Sequence, residues 1–85
     1  MKADLSYSIL GLSDLSGADL TQSNLLGASF QNANLAKANL MESNLSYANF
    51  TGANLQGVNL QGALLDKAIW IDGHECLPGS IGACQ

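Results

Sequence analysis

The most reactive side chains of this sequence are concentrated in its last fifteen positions. His74, the sole histidine, lies two residues before Cys76, and Cys84 follows eight residues later. These three residues could form a disulfide, keep two free thiols or contribute ligands to a metal ion. Their spacing matches no redox or zinc motif, so it does not by itself decide between these chemistries.

A disulfide between Cys76 and Cys84 is the alternative that we favour over two free thiols. Both cysteines lie in the one segment that lacks the repeat described below, and closing a loop of about nine residues is worth roughly 2.5 kcal/mol in loop entropy. A metal site is disfavoured because the chain has no further cysteine or histidine as a fourth ligand. His74 has no nucleophile at a recognisable spacing, so we predict no catalytic residue, no bound metal and no cofactor.

The charge and hydropathy of the chain argue against two broad classes of partner. Three lysines, no arginine and seven acidic residues give a net charge of −4. A surface for nucleic-acid phosphates needs clustered Lys and Arg, so no nucleic-acid partner is predicted. The sequence has no run of about 18 apolar residues and no signal-peptide pattern, so no membrane span is predicted. We therefore expect either a cytosolic protein or one whose leader has been removed.

A five-residue repeat, most regular over residues 33–60, must position these side chains. Its central residue, at every fifth position from Leu5 to Trp70, is Leu eleven times and otherwise Phe or Trp. A small residue lies two positions before each centre, and Asn or Asp stands between them in ten of the fourteen repeats. Residues two apart share one face of a short extended piece, whereas a period of five fits neither a helix nor a continuous strand. The chain is therefore predicted to bend once per repeat, with its centres inside and its Asn and Asp side chains bonded to backbone at the bends.

The aromatic centres indicate how many repeats make one coil. Phe30, Phe50 and Trp70 are twenty residues apart, so four repeats per coil place them in one column above Leu10. The other three columns then consist of leucine alone. Glycine is frequent two positions after a centre, where a turn with positive φ would favour it. The sequence thus predicts a square coil of twenty residues and about three and a half coils, roughly 17 Å tall.

The A-(D/N)-(L/F)-x-x pattern of residues 3–70 resembles the pentapeptide-repeat family. The resemblance implies an all-β fold, a right-handed quadrilateral β-helix with four pentapeptides per coil. Some members of this family from cyanobacterial and chloroplast thylakoid lumens have similar C-terminal caps with cysteines, which supports the disulfide. If Cys76 and Cys84 are bonded, the expected location is an oxidising compartment, the thylakoid lumen or the periplasm; otherwise it is the cytoplasm.

We assign residues 1–70 to the β-helix and residues 71–85 to a C-terminal cap segment of the same domain. The predicted core includes centres from two columns: Leu10, Phe30, Phe50, Trp70, Leu20, Leu40 and Leu60. The cap is expected to cover the open end of the core, with Leu77 and Ile81 turned down over the last centres. The first coil has no equivalent cover, so its lower edge is expected to be bare and open to self-association.

The predicted function is a non-catalytic structural or protein-interaction module whose partner the sequence does not identify. Tyr7 and Tyr47 lie in one outward column and offer a candidate contact patch. The alternative is a DNA mimic that inhibits type II topoisomerase. The resemblance implies this alternative because some members of the family have that activity. Mimicry would need rows of acidic side chains, and residues 20–65 carry only Glu42 and Lys37 as charged residues. The interaction module is therefore preferred.

Overall fold

The regular structure of the chain consists of single-residue β-bridges separated by two-residue turns. The structure, a computed structural model, describes residues 2–85, so Met1 of the predicted β-helix lies outside the described residues. A bridge residue recurs at every fifth position from Asp4 to Ile69, with a small residue before it and a centre after it. Residues 2–85 contain no helix, and the predicted all-β architecture is confirmed.

Parallel bridges join each repeat to the repeat one coil above it. Each pair is separated by twenty residues, so four sides make one coil. At a typical bridge the N–H of Leu25 donates to the carbonyl of Asn44 at 2.8 Å, and the N–H of Asn44 donates to the carbonyl of Ser23 at 3.0 Å. The parallel pairs are Asp4–Asn24, Ile9–Ser29, Asp14–Asn34, Asp19–Asn39, Asn24–Asn44, Ser29–Asn49, Asn34–Asn54, Asn39–Asn59, Asn44–Leu64 and Asn49–Ile69.

The turn between two sides has the same geometry in all the repeats up to Lys67. The residue two positions after each centre has a φ between 55° and 72°, which is the left-handed region. Glycine occupies five of these positions, as predicted, but eight are occupied by other residues: Tyr7, Leu12, Gln22, Asn32, Lys37, Glu42, Tyr47 and Lys67.

The Asn and Asp side chains brace these turns as the sequence predicted. For example, Oδ1 of Asn44 accepts the N–H of Ser46 at 3.1 Å, and Oδ1 of Asn54 accepts the N–H of Gln56 at 3.0 Å. Each such bond links a bridge residue to the turn that follows it, so the amide directs the chain around the corner.

The core is a set of stacked columns inside the coil. Phe30 and Phe50 are fully buried, with ring centroids 5.0 Å apart and nearly parallel planes. Trp70 meets Phe50 edge to face at 5.5 Å. Of the other predicted core centres, Leu20 and Leu40 are buried, whereas Leu10, Leu60 and Trp70 are half-buried. These three lie at the ends of their columns, so each has a stacked neighbour on one side only.

The chain reverses direction immediately after Trp70. The N–H of Trp70 donates to the carbonyl of His74 at 2.8 Å, and Gly73 between them has a φ of 87°. An Asp72-Gly73 turn of this kind joins antiparallel strands. Accordingly, the cap segment forms antiparallel bridges to the last coil, Ile69–Glu75 and Leu64–Ile81.

The cap does not cover the core in the way that the sequence suggested. Leu77 and Ile81 are 62% and 57% exposed, and the buried residues of the cap are Cys76 and Ser80. The reason is the direction of the chain. Ile81 pairs with Leu64, an outward-facing bridge residue, and opposed residues of an antiparallel pair point to the same side of the sheet. The prediction that Leu77 and Ile81 turn inward is therefore wrong.

The cap pairs with two of the four sides of the last coil. Residues 74–76 run along one side and residues 80–82 along the preceding side, with Cys76 N–H donating to Ala68 at 2.7 Å and Gly82 N–H donating to Ala63 at 2.9 Å. Within residues 2–85, no bridge joins the cap to the sides centred on Leu55 and Leu60, and these two centres are half-buried. The core is thus closed by a hairpin over half of its upper end.

Candidate functional site

One side of the coil carries most of the large apolar side chains that the repeats expose. This apolar side is formed by residues 7–12 and the positions above them, and its centres are the aromatic column. Tyr7, Ile9 and Leu12 are 71%, 89% and 82% exposed. Ile9 occupies a bridge position at mid-side, and Tyr7 and Leu12 occupy the turns at its two corners. A single coil therefore presents three apolar groups to solvent within six residues.

Tyr7 also reaches the coil above it. A Cβ atom placed on Gly27 would lie 2.6 Å from Cε1 of Tyr7, so the ring lies directly over the turn at Gly27. Tyr47 occupies the same column one coil further up and is 59% exposed. The absence of a side chain at Gly27 is what lets the Tyr7 ring lie there. The tyrosine patch suggested by the sequence is thus one part of the apolar side.

Asp14 and Asp19, two acidic residues of the first coil, accept hydrogen bonds from the turns that follow them. The hydroxyl and the N–H of Ser16 both donate to Oδ1 of Asp14, at 2.7 and 3.1 Å, and this lowers the pKa of Asp14 below its ordinary value of 3.8. Hydrogen bonds from Thr21 lower the pKa of Asp19 for the same reason. These carboxylates therefore serve the turns that follow them.

The cap brings together the reactive residues singled out in the sequence. Cys76 and Cys84 form a disulfide with a Cα–Cα distance of 5.0 Å, in which Cys76 is buried and Cys84 is partly exposed. Nδ1 of His74 contacts Oδ1 of Asp72, and Nε2 of His74 lies 3.4 Å from Sγ of Cys84. The hydrogen bonds from His74 to Asp72 lower the pKa of Asp72.

Sequence reasoning missed Asp72 as a member of this group. Its side chain accepts the N–H of His74 at 3.2 Å and also contacts the His74 ring. The signal was the Asp72-Gly73 dipeptide, which is typical of a tight reversal between two strands. A reversal there brings His74 back over the last coil and toward the end of the chain.

Three further observations concern residues 2–85. No three or more His, Cys, Asp or Glu side chains are grouped so that they could hold a metal ion. No cavity is found between these residues. No helix that could span a bilayer occurs in this part of the chain.

A four-sided coil of five-residue units with parallel bridges defines a β-solenoid. The pentapeptide-repeat profile matches eight copies over three overlapping ranges, residues 1–35, 13–41 and 23–62. The chain belongs to the pentapeptide-repeat family, whose fold is a right-handed quadrilateral β-helix. Proteins of this family are generally non-catalytic.

Solved structures of the same family resemble the chain. A pentapeptide-repeat protein from the cyanobacterium Cyanothece is 41% identical with a TM-score of 0.70, over 79% of this chain and 53% of that one. One from the thylakoid lumen of Arabidopsis thaliana is 33% identical with a TM-score of 0.40, over 78% and 52% of the two chains. HetL from the cyanobacterium Nostoc, involved in the regulation of heterocyst differentiation, is 31% identical with a TM-score of 0.36, over 87% and 47%.

The chain thus spans about half the length of the solved structures described above. A comparison with curated proteins gives no match.

Proposed function

We propose that this protein is a non-catalytic interaction module that binds a protein partner through its apolar side. The observation that carries the proposal is the exposure of Tyr7, Ile9 and Leu12 in one coil. Side chains of this size stabilise a protein only when they leave water, by roughly 1.5–3 kcal/mol each. In the described structure they are exposed, so a partner that covers them would gain that free energy.

The fold itself does not require Ile9 or Leu12. The bridge position that Ile9 occupies is Asn or Asp in ten of the fourteen repeats, and those side chains brace the turn. Leu12 has a φ of 62°, a conformation that is costly for leucine and is taken readily by glycine or asparagine. The exposed side chain of Ile9 lowers solubility, and the positive φ of Leu12 strains the backbone. Contact with a partner would offset both costs.

The experiment replaces the apolar residues with those that the repeat favours. The double variant Ile9→Asn/Leu12→Asn removes two exposed apolar groups while keeping residues that this fold uses elsewhere at the same two positions, such as Asn34 and Asn32. We expect the variant to fold as the wild type does, by circular dichroism. In a pull-down from an extract of the source organism, it should lose at least one protein that the wild type retains.

A matched control shows whether the loss is specific to the apolar side. Leu64→Asn makes the same apolar-to-amide change at a bridge position on another side, next to the cap. Equal retention of every captured protein by wild type and by the double variant would contradict the proposal. Sedimentation at high concentration tests whether the protein instead self-associates through the first coil. A dimer that the double variant abolishes would identify the partner as a second copy of this chain.

We further infer that residues 71–85 form a cap of the same domain and that the repeats make about three and a half coils.

We also infer that the protein resides in an oxidising compartment, the thylakoid lumen or the periplasm. The support is the Cys76–Cys84 disulfide, since such bonds persist where thiols are not kept reduced. A thiol count on protein isolated under non-reducing conditions tests the location. Two titratable thiols per chain would contradict it.

A further inference from the structure

The cap holds the ring of His74 between a carboxylate and a disulfide sulfur. Asp72 contacts Nδ1 of the ring and accepts the backbone N–H of His74, while Nε2 lies 3.4 Å from Sγ of Cys84. Asp72 and His74 belong to the reversal after Trp70, and Cys84 comes from the far end of the cap. The repeat ends before all three residues, so repeat geometry does not account for their arrangement.

The two contacts define which hydrogen bonds the His74 ring can make with its neighbours. A carboxylate oxygen only accepts hydrogen bonds, so Nδ1 of His74 donates to Asp72. A disulfide sulfur has no proton to give, so a hydrogen bond between Nε2 of His74 and Cys84 is one in which Nε2 donates. Asp72 lies where its carboxylate can balance the positive charge of an imidazolium ring. An imidazolium next to a cysteine stabilises the thiolate, which is the reactive form in disulfide exchange.

The two cysteines of the disulfide differ in accessibility. Cys76 is 1% exposed, lies on the core side of the cap and has its N–H bonded to Ala68. Cys84 is partly exposed. In disulfide exchange the incoming thiolate must reach the sulfur that it attacks. An external thiol therefore reaches Cys84, and Cys76 is the buried sulfur that leaves.

We propose that the cap is a thiol–disulfide exchange site in which Cys84 is the exchanging sulfur, His74 stabilises its thiolate and Asp72 orients His74. The co-reactant is an external dithiol. Its first thiolate attacks Sγ of Cys84, the Cys76–Cys84 bond breaks, and Cys76 leaves as a thiolate that takes a proton. The second thiolate of the dithiol then attacks the mixed disulfide at the dithiol's own sulfur. Cys84 leaves as a thiolate beside His74, so the dithiol is oxidised by two electrons and the cap is reduced.

Reduction would loosen the end of the cap and leave its base in place. The hydrogen bonds from Cys76 to Ala68 and from Gly82 to Ala63 do not depend on the disulfide. Beyond Gly82, the chain end is held by the N–H of Leu77 donating to Gln85 at 2.9 Å and by the N–H of Gln85 donating to Oγ of Ser80 at 3.1 Å. The disulfide adds the covalent attachment of this chain end to the cap, and it does so whether or not the apolar side binds a partner.

The first experiment identifies the attacked sulfur in the wild-type chain. The oxidised protein is treated with the monothiol glutathione, quenched with N-ethylmaleimide and analysed by tandem mass spectrometry. We expect glutathione on Cys84 and the maleimide on Cys76. Glutathione on Cys76, or equal labelling of both cysteines, would overturn the proposal.

The second experiment measures the contribution of His74 to the thiolate. In Cys76→Ser, where Cys84 is the only thiol, thiolate absorbance at neutral pH and the rate of alkylation by iodoacetamide are measured with and without His74→Gln. The loss of His74 should decrease both the absorbance and the rate, the latter about three- to tenfold. Adding Asp72→Asn instead should give a smaller decrease in the same two quantities. A change of less than about twofold in the rate on His74→Gln would refute the role of His74.

Two controls separate this contact from general effects of the cap. Glu75→Gln in the same Cys76→Ser background removes a neighbouring charge without touching the ring–sulfur contact, and should leave both quantities unchanged. In Cys84→Ser, the alkylation rate of Cys76 should not respond to His74→Gln. A response of Cys76 equal to that of Cys84 would show that His74 acts on the fold of the cap as a whole, and would overturn the proposal.

Discussion

Single residues at the bridge position connect the sequence pattern to the turns. Asn44, Asn54 and their equivalents accept the backbone N–H two residues further on, so one side-chain oxygen sets each corner. Aspartate can do the same with a charge, and in the first coil Asp14 and Asp19 do so with additional bonds from Ser16 and Thr21. The preference for Asn and Asp is therefore a requirement of the turn and no indication of catalysis.

The charged version of this turn makes the stability of the protein depend on pH. The pKa values of Asp14 and Asp19 are lowered from 3.8 by the hydrogen bonds that they accept. A carboxyl whose pKa is lower in the folded state stabilises the fold above its unfolded pKa, and this contribution is lost as the pH falls through the lowered value. Stability should therefore fall on acidification below 3.8.

The variant Asp14→Asn/Asp19→Asn tests this dependence. Asparagine keeps the accepting oxygen and cannot be protonated in this range, so the double variant should lose less stability than the wild type between about pH 5 and pH 2. Urea denaturation at a series of pH values measures the difference, with the two proteins compared at neutral pH as the reference. Identical slopes below pH 3.8 would contradict the assignment.

At the scale of the elements, the turn tolerates residues that its backbone conformation does not favour. Eight residues other than glycine have positive φ at this position, among them Leu12, Lys37 and Tyr47. Each costs roughly 1–2 kcal/mol relative to a right-handed conformation. The hydrogen bonds of the adjacent coils hold the turn in this conformation despite the strain.

Substitution of one such residue by glycine should stabilise the protein. Lys37 is exposed and has a φ of 59°, so Lys37→Gly relieves the strain while adding some entropy to the unfolded chain. The expected net gain is about 0.5–1 kcal/mol in the free energy of unfolding, measured by urea denaturation. Ala36→Gly is the matched control, because Ala36 lacks a positive φ and should lose about 0.4–1 kcal/mol on substitution. A loss of stability in both variants would refute the strain argument.

The cap shows why one element was harder to predict than the other. The β-helix repeats its pattern fourteen times, and the twenty-residue spacing of Phe30, Phe50 and Trp70 identified the coil. The cap occurs once, and the inward or outward direction of its residues depends on a reversal at Asp72-Gly73. Ile81 pairs with the outward residue Leu64 and therefore faces solvent, although it was predicted to face the core. The contact of His74 with Cys84 joins distant parts of the cap, which their spacing in the sequence does not reveal.

At the scale of the whole molecule, the packing of each column depends on the number of residues between its members. Phe30 and Phe50 stack because they are twenty residues apart, and the leucine columns are kept separate by the same spacing. A change in chain length that is a multiple of twenty preserves every column. Any other change moves aromatic centres into columns that were packed with leucine.

Two insertions of different length test this coupling. A second copy of residues 26–45, inserted after Leu45, adds one coil in register and should raise the melting temperature. A second copy of residues 36–40, inserted after Leu40, places Phe50 and Trp70 in a leucine column, and overpacking of this kind costs about 1–3 kcal/mol. The shorter insertion should therefore lower the melting temperature, measured by circular dichroism. An increase for both insertions would show that register is unimportant.

The division of each repeat into inward and outward positions has a consequence for how this protein can evolve. The small residue and the centre face the core, and the bridge and turn residues face solvent. Many proteins gain new function at the expense of stability, because one residue serves both. Here the packing of the core and the chemistry of the surface fall on separate positions of the same pentapeptide. Substitutions such as those at Ile9 or Leu12 can change what the surface recognises while the core that maintains the fold stays the same.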